Sequence, residues 1–131
     1  MTVFLDTNIL VRHLTGDPPE MASRATAALA REDEEYLLTD LVLAECVYVL
    51  ESFYEVERSH VAELMRSAIS LPSIKTLDSS TPLRALEVYE TNRLDFVEAY
   101  LVAQAETTGV REVLSFDRSI DRIDTVTRRE P

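Results

Sequence analysis

Glycine is nearly missing from this chain, with two residues in 131. Nothing in it reads as a flexible linker or an internal repeat, so one compact domain over residues 1–131 is expected. There is one cysteine, Cys46, which rules out an intrachain disulfide and suits a reducing compartment. The two histidines, His13 and His60, form no Cys/His zinc spacing with it. No apolar stretch approaches the ~18 residues needed to cross a bilayer. The start of the chain carries Asp6 where a signal peptide would have its apolar stretch. These features lead us to expect a cytoplasmic globular protein. Basic charge is also scarce: 13 Lys and Arg face 24 Asp and Glu, for a net charge of -11. That balance argues against a protein that coats nucleic acid through a general positive field. It does not exclude a nuclease, because a bound cation can neutralise an acidic site locally.

Against these absences, 46% of the residues are hydrophobic, enough for a real core. Val3 to Leu5 read as a short, fully buried strand, followed by helical spacing through Ile9, Leu10, His13 and Leu14. Gly16-Asp17-Pro18-Pro19 stops that helix, and Pro18 or Pro19 opens another that runs to about Arg31. A strand is expected at Tyr36 to Leu38, then a helix capped by Thr39 or Asp40. Ser59 is expected to cap the next helix. Ile74 to Leu77 read as a strand, and Pro82 lies near the start of a helix reaching about Glu90. "DFVEAYLVAQAETTG" reads as a helix ending at Gly109. Val113 to Ser115 form a further strand, and Ile123 to Val126 a last edge strand. Alternating strands and helices indicate an α/β fold with a mainly parallel sheet. Sites in such folds gather at the carboxyl ends of strands.

Acidic residues stand at or near several of those ends. Asp6 follows the first strand and Asp117 a later one; each can be a helix N-cap instead. Glu45 interrupts "DLVLAECVYVL", a helix apolar nearly all round and expected to be mostly buried. Buried glutamates are rare unless paired, so Glu45 is either bridged to an arginine or directed into a cleft. Asp95 and Glu98 share a helix face at i, i+3, where a capping box is the competing explanation. Four carboxylates about 5 Å apart would repel by roughly 3 kcal/mol per pair at an effective dielectric of about 20. The six pairs would total on the order of 20 kcal/mol, more than a typical domain's whole stability. Such a cluster needs a cation or protons, and all-oxygen donors select Mg²⁺ or Mn²⁺.

Four stretches, in order, resemble the PIN domain over nearly the whole chain, and within that family the VapC-type ribonuclease toxins of prokaryotic toxin–antitoxin pairs. "FLDTNILVRHL" is similar to the opening strand and helix, with Asp6 as first acid and Asn8 as its companion. "LLTDLVLAECVYVL" resembles the second segment, with Glu45 as its acid, and "LDFVEAYLVAQAE" the third. "VLSFDRSIDRI" resembles the last, with Ser115 near the site and Asp117 as fourth acid. In the third segment the family often has two aspartates three apart; here they are Asp95 and Glu98, and both are carried as candidates. The resemblance implies an α/β/α sandwich with a short, mainly parallel central sheet. It implies an Mg²⁺- or Mn²⁺-dependent endoribonuclease, forming a homodimer, acting on RNA such as tRNA or rRNA, and restrained by a cognate VapB-like antitoxin.

On this reading Asp6, Asp95 or Glu98, and Asp117 hold one or two cations, and Glu45 helps hold a cation or orients the attacking water. Arg93 and Arg118, next to the acid segments, are candidate RNA contacts, with solvated ion pairing as the plainer alternative. Twelve arginines and one lysine, Lys75, make arginine forks the expected phosphate contacts. Tyr48, Phe53, Tyr54, Leu64 and Met65 are expected in the core or on a dimer or antitoxin face. A haloacid-dehalogenase-type phosphatase needs a second Asp where Asn8 stands. A receiver-like domain is poorly matched by Lys75, and a flap-type DNA nuclease normally needs more chain. The non-enzymatic rival is a binding module whose acids are only caps.

Overall fold

A computed structural model describes residues 1–131. The chain forms two compact units, Met1–Leu77 and Asp78–Pro131.

In the first unit, β1 (Thr2–Phe4), β2 (Glu35–Leu37) and β3 (Ile74–Lys75) form a sheet in that order, with both pairings parallel. Helices α1 (Thr7–Thr15) and α2 (Pro19–Leu29) separate β1 from β2. Helices α3 (Asp40–Ser52) and α4 (Arg58–Ile69) separate β2 from β3. Gly16 ends α1 in the left-handed region, at φ 72°, and its N–H donates to the Arg12 carbonyl. The α1 and α2 helices are tied by a 2.8 Å hydrogen bond between His13 Nδ1 and Thr26 Oγ1. Thr39 caps α3, its hydroxyl accepting from Val42 N–H. Leu10, Leu43, Leu50, Val61 and Met65 fill the core.

Two expectations fail here. The first strand is not buried: Val3 and Phe4 are 41% and 71% exposed, and only Leu5 beyond it is covered. An edge strand of three residues has a neighbour on one side only. Ser59 does not cap α4, whose N-cap is Glu57, two residues earlier; its hydroxyl donates to Glu57 Oε1 instead.

The second unit pairs α5 (Ser80–Thr91) with α6 (Phe96–Thr108), followed by β4 (Glu112–Leu114) and β5 (Thr127–Arg129), which are parallel. Tyr89 and Phe96 meet edge to face at 6.0 Å inside this unit. Gly109 stops α6 at φ 77°. The last strand begins later than expected. Ile123 and Val126 are buried, the former receiving the end of a 3-10 helix (Arg118–Arg122), and pairing starts only at Thr127. Every strand pairing in both units is parallel, as alternating apolar runs predict. No helix is long and apolar enough to cross a membrane.

Candidate active site

Parallel pairing of β1 with β2 places their carboxyl ends on the same edge of the sheet. The chain leaves those ends into α1 and α3, and this brings Asp6 and Glu45 together. Both line one cleft of ≈ 360 Å³, with Thr7, Asn8, Val11, Arg12, Val49, Phe53 and Tyr54. The thiol of Cys46, beside Glu45 in sequence, is pushed up to about 12 by burial, and further by the charges of Glu45 and Asp6. The thiolate is therefore unavailable as a nucleophile near neutral pH.

Asp6 does cap α1, accepting from Thr7 N–H at 2.8 Å, but its side chain stays exposed in the cleft. Glu45 takes the cleft-facing alternative. The mostly buried helix expected around it is open on one side: Leu41, Glu45 and Tyr48 form an exposed stripe on α3, the two apolar residues being 81% and 68% exposed. Leu43, Cys46, Val47 and Leu50 form the buried stripe. Composition that is apolar all round conceals which face is covered. The other apolar candidates divide in the same way. Met65 is buried, Leu64 and Tyr54 are half-buried, and Phe53 is exposed.

The second unit holds the remaining acids. Asp95 stands at the N-cap of α6, yet its carboxylate makes no capping hydrogen bond. The capping-box explanation for the Asp95/Glu98 pair thus lacks its defining contact. Glu98 is half-buried, and its Oε2 atom is out of solvent without a partner. Burial raises its carboxyl above the usual range, and the charges of Asp95 and Asp117 add to the effect. Asp117 behaves oppositely. Hydrogen bonds from Ser119, helped by the charges of Arg122 and Arg128, hold its carboxyl below the ordinary range. It caps the 3-10 helix through Ser119 N–H at 2.9 Å. Ser115 shapes this turn, its hydroxyl accepting from Asp117 N–H at 2.9 Å.

The donors are carboxylates, with no thiolate or imidazole among them, which suits a hard divalent ion. The buried, unpartnered oxygen of Glu98 between two other acids is the kind of position that a cation or a proton satisfies. In neither unit do three or more such side chains already stand close enough to enclose an ion. Arg93 is exposed with φ 59°, its carbonyl accepting from Arg122, and Arg118 is exposed at the start of the 3-10 helix. Sequence reasoning missed Arg12 in the Asp6 cleft. Its position four residues after Asn8 on one helix was the available signal.

Parallel strands delivering acids to helix starts define an α/β protein with carboxylate sites at its strand ends. The PIN domain family model matches residues 3–126, and this chain belongs to that family. It is 24% identical over 121 residues to the VapC ribonuclease of Aquifex aeolicus (strain VF5), covering 91% of this chain and 90% of that protein. Among solved structures it aligns with VapBC2 of Rickettsia felis bound to a promoter DNA fragment, at 14% identity and a TM-score of 0.41, covering 99% of this chain and 98% of that one. It also aligns with Mycobacterium tuberculosis VapC20, a sarcin-ricin-loop-cleaving toxin, at 17% identity and a TM-score of 0.43, covering 95% and 98% of the two chains. The family assignment rests on the family model and not on these two alignments.

Proposed function

We propose that this chain is a metal-dependent endoribonuclease of the VapC type, the toxin of a toxin–antitoxin pair, hydrolysing phosphodiester bonds in RNA. Membership of the PIN family and likeness to a VapC ribonuclease support the reaction class. The observation that carries the metal-dependent reading is Glu98, with an unpartnered buried oxygen and two acidic neighbours. Asp6 in the first unit and Asp95, Glu98 and Asp117 in the second serve as ligands, directly or through water, of one or two divalent cations. Glu45 helps hold a cation or orients the attacking water. Asn8 steadies the Asp6 turn, and Ser115 fixes the turn that presents Asp117. Bound Mg²⁺ or Mn²⁺ would supply Lewis-acid polarisation of the scissile phosphate and a more acidic water.

Outside the cleft, Arg93 and Arg118 contact RNA phosphates. The partners are tRNA or rRNA as substrate, a second copy in a homodimer and a VapB-like antitoxin, in the cytoplasm. The test is RNA cleavage with and without Mg²⁺ or Mn²⁺, beside Asp6→Asn, a near-isosteric change. Cleavage in the wild type with none in the variant is the expected result. Full activity in a folded Asp6→Asn protein would contradict the proposal. No observation favours a phosphatase over this reading, since Asn8 stands where its second Asp is needed.

A further inference from the structure

We infer that Arg12, Arg24 and Phe53 form the substrate-holding rim of the Asp6/Glu45 cleft: the two arginines take backbone phosphates of an RNA strand, and Phe53 stacks one of its unpaired bases. This rests on the ribonuclease reading above.

Arg12 and Asn8 line the Asp6/Glu45 cleft and also a second cleft of ≈ 310 Å³ that contains Arg24. The two clefts adjoin at Asn8 and Arg12, and Ile9, Met21, Ala25 and Ala28 line the rest of the second beside Arg24. A hydrogen bond between His13 and Thr26 links α1 to α2. The Arg12 and Arg24 guanidiniums lack a carboxylate partner. Arg12 reaches only the Asp17 carbonyl, at 3.4 Å, a long contact for a hydrogen bond, and Arg24 is exposed. Several arginines elsewhere in this acid-rich chain are engaged with acids, Arg31 with Asp33, Arg84 with Glu106 and Arg128 with Asp121. Two uncommitted planar cations in adjoining clefts match the spacing-tolerant, bidentate recognition of phosphates.

Phe53 lies on the wall of the same cleft and is 75% exposed. It is also braced. Tyr54 meets its ring edge to face at 4.9 Å, and the Tyr54 hydroxyl donates to Asp17 Oδ2 at 2.9 Å. An exposed ring in the same cleft as an arginine without a carboxylate partner is the pairing that single-stranded nucleic acid uses, base on ring and phosphate on guanidinium.

The experiment measures binding of a short unpaired RNA oligonucleotide across a salt titration. It uses Asp6→Asn protein so that the RNA survives, and steady-state cleavage is followed with Asp6 intact. Arg12→Ala and Arg24→Ala are each expected to weaken binding and to reduce the log–log salt slope by about 0.7. Arg12→Lys should restore the slope. Phe53→Ala is expected to weaken binding about tenfold with the slope unchanged, while Phe53→Tyr binds normally. In cleavage, KM should rise and kcat hold. Unchanged affinity and slope in all three alanine variants, with wild-type protein still cutting RNA, would overturn the rim and leave the ribonuclease reading standing. Wild-type protein that cuts no RNA with Mg²⁺ or Mn²⁺ would remove the ribonuclease reading and this inference with it. A Phe53→Ala protein that changes from dimer to monomer at unaltered RNA affinity would assign Phe53 to a protein interface and overturn its stacking role.

Discussion

The acids of the two units stand in different surroundings. In the first unit, Asp6 and Glu45 are exposed in an open cleft, and Arg12 shares it with them. In the second, Glu98 buries one oxygen without a partner, and its nearest charges are two more acids. An arginine beside exposed carboxylates offsets their repulsion and leaves them free to act. A half-buried glutamate facing Asp95 and Asp117 is destabilised in its ionised form until something positive arrives. On the proposed reading, the second set is where a cation should change protonation and stability most, and the first is the cleft offered to substrate and water.

The largest effect should come from the exposed set. Asp6→Asn is expected to lower RNA cleavage on the order of a thousandfold, about 4 kcal/mol of transition-state stabilisation, with an unchanged circular dichroism spectrum. Glu45→Gln should cost about a hundredfold if it orients water. A loss in only one of the two would separate their roles within the shared cleft.

Next comes the pH dependence of the half-buried Glu98. Protons compete with a cation for Glu98, whose carboxyl titrates above the usual range. Calorimetric Mn²⁺ affinity should thus strengthen as pH rises through that raised value, and Glu98→Gln should flatten the profile. An equally steep profile in the variant would remove Glu98 from the ligand set.

Stability should separate true caps from functional acids. Thr39→Ala loses the cap of α3 and should lower unfolding stability by about 1 kcal/mol in a denaturant titration. Asp95→Asn, which removes no capping bond, should leave stability nearly unchanged while weakening cleavage. A large loss of stability there would restore the capping explanation.

The smallest effect is a gain. A raised folded-state pKa contributes stability below the ordinary glutamate range, and that contribution is lost as pH rises through the raised value. Metal-free Glu98→Gln protein should therefore melt above the wild type at pH 7, and the difference should shrink toward pH 4. Equal melting at both values would mean that Glu98 is already compensated.

Residues that act locally were legible in the sequence. Gly16 and Gly109 stop their helices through left-handed backbone, and Thr39 caps α3 through its own hydroxyl. The alternation of apolar runs sufficed for parallel pairing. What depends on distant neighbours was not legible. The apolar β1 residues look buried in sequence, but coverage depends on which strands flank them. The α3 segment is apolar on every side, so its pattern holds no record of the open Leu41–Glu45–Tyr48 stripe. Ile123 and Val126 have strand-like character and are spent instead on anchoring the turn before β5. Asp95 shows the reverse case. Its position mimics a cap in sequence, and only coordinates reveal that the capping contact is not made.

The most direct test is cleavage of RNA by the purified chain in Mg²⁺ or Mn²⁺, against the same reaction with EDTA and with Asp6→Asn protein. The account predicts cleavage in the metal alone and at least about a thousandfold less in both controls. RNA cleavage that persists undiminished in EDTA, or in a folded Asp6→Asn variant, would contradict it.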